Sequence, residues 1–102
     1  MLVQYLRDEN RVPIGCIVAD VFDNMIFYGV SYCNTKKDKF RKSLGFEIAY
    51  DRMQKNIDLF VCPDASIKKL SFNPTLRERT QEQEFRFLDR CTRYFRTDNI
   101  VD

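Results

Sequence analysis

The chain of 102 residues contains no histidine, and only three glycines and three prolines. Without histidine there is no Cys–His dyad, no Ser–His–Asp triad and none of the common mixed Cys/His zinc patterns. Ser31 has no base near it in sequence and no GxSxG elbow around it. The cysteines, Cys16, Cys33, Cys62 and Cys91, are widely spaced with no CxxC pair. They read as reduced, buried, small hydrophobes in a reducing compartment, with no metal bound. No apolar run approaches the roughly 18 residues of a membrane span. Met1 leads straight into LVQYLRDEN, with charge by Arg7, which is unlike a signal peptide. These absences predict a cytoplasmic protein that is not an enzyme and carries no cofactor. The pair Glu47 and Asp51, one helical turn apart, reads as surface charge rather than as a general acid/base couple.

Charge of one sign is also in short supply. Lysine and arginine total 17 against 15 acidic residues, a formal net charge of +2. That is not the balance of a protein that coats DNA, so a nucleotide or nucleic-acid site has to come from local clustering. What the chain has in quantity is aromatic and aliphatic side chains: 44% of residues are hydrophobic, with nine Phe and five Tyr among them. These supply the core of one domain spanning 1–102.

The order of elements predicts an α+β fold, an antiparallel sheet of three to four strands packed with two helices. LVQYLR (2–7) reads as a first strand and Asp8–Arg11 as a hairpin turn, with Asn10 suited to positive φ. A second strand runs over 12–19, with Pro13 at its start. It is apolar on both alternating sets (Ile14, Cys16, Val18 and Gly15, Ile17, Ala19), as expected of a strand covered on both faces. Asp23-Asn24 marks a turn, and 25–32 is a third strand. A helix over 38–55 follows, with Asp38 as N-cap. It carries two apolar stripes, Phe40/Leu44/Ile48 and Phe46/Tyr50/Met53. One can face the sheet and the other calls for a second partner, either the C-terminal helix or another subunit; with the small size of the chain, a homo-oligomer is the expected assembly. Gly45 implies close approach of a backbone or a ligand. IDLFVC (57–62) reads as a fourth strand or packed coil. Asn73-Pro74 then starts a helix over 74–96, whose apolar face is Phe85, Leu88, Cys91 and Phe95, widened by Phe87 and Tyr94. Residues 97–102 read as a polar tail.

The strand–loop–helix stretch 28–53 carries the candidate site. Lys36, Lys37, Lys39, Arg41 and Lys42 crowd the start of its helix, where backbone N–H groups and the helix dipole favour an anion. The expected ligand is phosphate-bearing. Ser31 and Asn34 offer neutral hydrogen bonds, and Lys36, Lys37 and Lys42 offer charge. Arg90 and Arg93 close the site from the last helix or from a second subunit, being part of a basic stripe with Arg86. The opposing reading is a solvated charged surface, balanced on the last helix by Glu82, Glu84 and Asp89.

The same stretch resembles a family of small uncharacterised phage-encoded proteins. The pattern is G-x-S-x-C-N followed by K-D-x-F-x-K-x-x-G-x-x-I-A, here Gly29, Ser31, Cys33, Asn34, Lys37, Asp38, Phe40, Lys42, Gly45, Ile48 and Ala49, with Arg52 after it. The opening Arg7, Asp8, Pro13, Gly15, Val18 and Ala19, and the closing Cys91, Arg93, Tyr94 and Phe95, are similar too. The resemblance implies a phage accessory protein of host takeover or anti-defence, acting by binding in the host bacterial cytoplasm. It would capture a phosphate-bearing ligand such as a signalling nucleotide. The alternative is a protein-interaction inhibitor of a host defence or nucleic-acid-processing complex.

Overall fold

The structure, a computed structural model, describes residues 1–22, 25–33, 37–55, 60–61 and 80–100. Strands β1 (Leu2–Arg7), β2 (Pro13–Phe22) and β3 (Met25–Tyr32) form a meander; α1 (Lys42–Lys55), β4 (Phe60–Val61) and α2 (Gln81–Ile100) follow. The sheet order is β1-β2-β3-β4, every neighbouring pair antiparallel. This is the α+β fold that the sequence predicts. No described helix is long and apolar enough to cross a membrane.

Alternation along β2 sets the layers. Ile17 and Ala19 join Leu6, Ile26, Tyr28 and Val30 in one cluster, completed by Phe87, Leu88, Cys91 and Phe95 of α2. Cys16 and Val18 point the other way and meet Ala49 and Met53 of α1, flanked by Val3, Tyr5, Phe27 and Phe46. Each face of the sheet is therefore covered by one helix, which is why β2 is apolar on both sides. Each fully buried Leu, Ile or Phe contributes about 1.5–3 kcal/mol of transfer free energy.

The β1–β2 hairpin departs from expectation by one residue. Arg11, not Asn10, has positive φ, at 64°. The loop is Glu9-Asn10-Arg11, closed by Asp8 N–H to Val12 O at 3.0 Å and Arg11 N–H to Asp8 O at 2.9 Å. Loops of this length place their third residue in the left-handed region. Asp8 Oδ1 holds the loop by accepting from the N–H groups of Asn10 and Val12, both at 2.9 Å. Leu6 pairs with Gly15 and Arg7 with Pro13, so Ile14 is the extra residue of a bulge. β2 continues to Phe22, beyond the expected end at Ala19; the Asp23-Asn24 turn lies outside the described residues.

α1 starts at Lys42 and not at Asp38. Its first bond, Gly45 N–H to Arg41 O at 2.8 Å, makes Arg41 the N-cap. The reason is Phe40. A Cβ on Gly45 would come within 2.5 Å of the Phe40 ring, so the ring occupies the space that Gly45 leaves. That ring also meets Tyr5 edge-on, centroids 6.3 Å apart. Residue N′ thus packs on N4, the arrangement of a hydrophobic staple, and 38–40 are drawn out of the helix.

Neither predicted apolar stripe of α1 faces the sheet whole. The face that does so runs through Gly45 and Ala49, between the stripes, to Met53 of the second one. A Cβ on Gly29 of β3 would sit 2.1 Å from Ala49 O and 2.4 Å from Met53 N, so helix backbone rests on strand backbone. Ser31 Oγ donates to Gly45 O and Arg52 Nη1 to Val30 O, each at 2.8 Å. Met53 is buried, whereas Leu44 (50%), Ile48 (37%) and Tyr50 (40%) stay exposed.

Of the predicted fourth strand, Phe60 and Val61 pair with Phe27 and Ile26; 57–59 and 62 lie outside the described residues, as does the expected Asn73-Pro74 helix start. The described α2 begins at Gln81 with Thr80 as N-cap, Thr80 O accepting from Glu84 N–H at 2.9 Å. It runs to Ile100, past the expected end at Arg96. Phe87 rather than Phe85 sits fully in the core. Gln83 ties the helix to the outer strand: its Oε1 accepts from Arg7 N–H at 2.9 Å and its Nε2 donates to Arg7 O at 2.6 Å.

Two backbone positions are testable. Gly29→Ala forces α1 off β3 and should cost about 3 kcal/mol, the upper range for overpacking. Arg11→Gly removes a left-handed non-glycine residue and should gain about 0.5–1 kcal/mol. Urea unfolding monitored by circular dichroism reads both.

Candidate functional site

The end of β1, the start of β2, the end of β3 and the first turns of both helices share one end of the sheet. Lys42 Nζ lies 5.2 Å from the centroid of the Tyr5 ring, and Thr80 Oγ1 lies 3.3 Å from Tyr32 Oη. Into this end the stretch 37–42 brings Lys37, Lys39, Arg41 and Lys42, all exposed. Two clefts open there, with Asp38, Lys39 and Phe40 as their shared wall. One, of about 540 Å³, is lined by Val12, Pro13, Lys37 and Lys42 besides the wall. The other, of about 390 Å³, is lined by Ser31, Tyr32, Cys33, Arg41, Leu44, Gly45 and Ile48 besides it.

The helix end between them is positive twice over. Its N-cap is Arg41, whose side chain accepts no hydrogen bond, and its first turn holds no acidic residue. The partial positive charge of a helix N-terminus is here surrounded by cations, an arrangement that an anion relieves. Asp38, one residue from the cations on either side, is exposed in the wall and offsets part of that field.

The residues predicted for the site separate into four groups. Lys37 and Lys42 line the larger cleft together. Ser31 lines the smaller one but is 3% exposed, and its hydroxyl proton is already given to Gly45 O, so its role is to fix α1 on β3. Asn34 and Lys36 lie outside the described residues. Arg90 and Arg93 are not brought to this place within one chain. They stand on α2, across the sheet from α1, ten and thirteen residues past Thr80, or about 15 and 20 Å along the helix. Arg93 pairs with Asp89 at 3.0 Å, and Arg90 lies over the Phe87 ring at 5.7 Å. Arg86, the third member of the stripe, pairs with Glu82.

A buried polar cluster behind the clefts escaped the sequence reading. Glu84 is fully buried, and its Oε2 accepts from Thr80 Oγ1 at 2.9 Å, next to Tyr32 Oη. The one signal for this corner was the spacing Thr80-x-x-Gln83, that of a capping box; Gln83 uses its amide on Arg7 instead. Among the described residues no group of three or more His, Cys, Asp or Glu is placed to hold a metal ion.

Cys16, Cys33 and Cys91 are free thiols, and Cys62 lies outside the described residues. Burial pushes the Cys16 thiol up to about 11 and the Cys91 thiol up to about 12, the latter against the opposing pull of Arg90 and the N-terminal ammonium. No family model matches the chain, and neither a curated protein nor a solved structure matches it.

The thiol shifts have a sign that can be measured. Above pH 9 the unfolded chain loses its thiol protons while the folded chain keeps them until about 11 to 12. The unfolded state then binds fewer protons, so stability falls as pH rises through that window. Cys16→Ala should flatten the decline between pH 9 and 11 relative to wild type in urea titrations at fixed pH. Under native conditions at pH 8 a thiol reagent should modify Cys33 well before Cys16 or Cys91, as peptide mass mapping can resolve.

Proposed function

We propose that the protein acts by binding, without catalysis, and captures a phosphate-bearing ligand such as a signalling nucleotide at the cleft of Lys37, Lys39 and Lys42. The observation that carries this reading is the start of α1: an arginine cap and an acid-free first turn, with exposed lysines beside it. Lysines are suited to phosphate as compact charges, and backbone N–H groups of a first helical turn point toward such a ligand. The apolar part of the cleft, Val12, Pro13 and Phe40, offers a surface against which a base or sugar can pack. The lack of histidine removes the commonest general base, in keeping with capture rather than turnover. The resemblance to small phage-encoded proteins fits a host-takeover or anti-defence role in the cytoplasm of a bacterial cell. A protein of that kind removes a signal by holding it.

Calorimetric titration against cyclic di- and trinucleotides and ADP-ribose derivatives tests the reading. Binding should weaken with added salt, because exposed charges are screened over about 8–10 Å near physiological ionic strength. Lys37→Ala and Lys42→Ala should each weaken it about threefold to fivefold, the scale of an exposed ion pair. Arg93→Ala, across the sheet, should leave it unchanged. Absence of heat with every ligand at two salt concentrations, with no nucleotide released on heat denaturation, favours inhibition of a host protein instead.

A further inference from the structure

We propose that the outward flank of α1 is the interface with a second copy of this chain, joined about a two-fold axis with the two α1 helices antiparallel. The flank is the stripe Arg41, Leu44, Ile48, Asp51 and Lys55, spaced three, four, three and four residues apart. That is the spacing of a helix–helix seam. All five residues are exposed, and Leu44 and Ile48 both count among the exposed large hydrophobics of the described chain. Apolar residues at the centre of a stripe with charges at its ends form a patch of the kind that buries its middle against a partner and keeps its rim polar.

Its charge pattern selects the occupant. The stripe is basic at Arg41 and acidic at Asp51, and the midpoint between them, at residue 46, is also the midpoint between Leu44 and Ile48. A two-fold axis crossing at that level sets Leu44 against the partner's Ile48 and, at the same time, Arg41 against the partner's Asp51. One register therefore satisfies both the apolar and the charged contacts, twice over by symmetry, as an isologous interface requires. The antiparallel arrangement also brings each positive helix N-terminus toward the C-terminal half of its neighbour. Among the described residues Asp51 pairs with Lys55 on its own helix, at 3.2 Å with both side chains well exposed, a weak pair that the partner's arginine can replace. Arg41, Leu44 and Ile48 also line the smaller cleft, whereas the cleft proposed for the ligand lies on the side of α1 where Lys42 reaches over Tyr5; Ile48→Lys, outside that larger cleft, therefore tests the interface without touching the lysines of the ligand reading.

Light scattering on wild type at about 100 μM should return twice the 12.2 kDa chain mass. Ile48→Lys and Leu44→Lys, at exposed positions that leave the circular dichroism spectrum unchanged, should each return the single-chain mass. Arg41→Asp alone and Asp51→Arg alone set like charges together and should each weaken the dimer at least tenfold. An equimolar mixture of those two variants restores opposite charges at both contacts and should recover it. A wild type that stays at 12.2 kDa overturns the proposal, and so does a dimer indifferent to Ile48→Lys and Leu44→Lys. A dimer broken by the lysine variants but unaffected by either charge reversal, or a mixture that fails to reassociate, overturns the antiparallel register.

Discussion

The position of every residue near the clefts follows from the contact of α1 backbone with β3 at Gly29 and Ala49. Close approach of this kind replaces a layer of interdigitating side chains with direct backbone packing, and it tolerates no Cβ on the strand side. Once the helix is seated so low, its first turn lies level with the end of β3. Ser31 can then reach Gly45 O, Arg52 can reach the carbonyl of Val30, and Phe40 can slide under the first turn at Gly45. The cationic segment 37–42 is thereby pinned at its aromatic residue while its charges remain in water. The basic end is in this sense a product of glycine placement on two different elements.

The sheet separates two groups of cations among the described residues. On the α1 side the cations stand around a helix start that has no acidic residue in its first turn. On the α2 side, Arg86 and Arg93 each find a carboxylate one turn away, so that stripe is largely neutralised within its own helix. Clusters of cations in a sequence window can thus have opposite meanings: one group leaves a field to be satisfied from outside, and the other largely satisfies itself. Fully exposed i,i+4 pairs contribute little to stability, but they cancel charge locally.

Much of the architecture was legible from residue order. The double apolar alternation of β2 announced a sheet covered on both faces, and Pro13 marked a strand start. What could not be read were features set by contacts distant in sequence. Asp38 has the side chain of an N-cap, but the affinity of the Phe40 ring for the space over Gly45 and beside Tyr5 moved the cap to Arg41. Asn10 is the better left-handed residue, yet the two hydrogen bonds accepted by Asp8 put that conformation on Arg11. Periodicity put Leu44 and Ile48 on one side of α1 and Phe46, Tyr50 and Met53 on another, but it counted Phe40 into the helix and could not say which face would be buried. The face between them won because its small residues allow closer packing than either stripe would. Within one chain Arg90 and Arg93 do not join the basic loop, for a topological reason: the face that a second helix takes is not encoded near either segment.

The paired hydrogen bonds between Gln83 and Arg7 bear on how this protein stays separate from its neighbours. β1 is the outermost strand on its side of the sheet, and such edges are templates for unwanted strand addition between molecules. A glutamine amide offers one donor and one acceptor, spaced like a peptide group, so at Arg7 it impersonates the next strand. An incoming chain finds that position of the edge, next to the hairpin loop, already paired. The helix that completes the core thus also occupies one position of the sheet edge, through a single side chain.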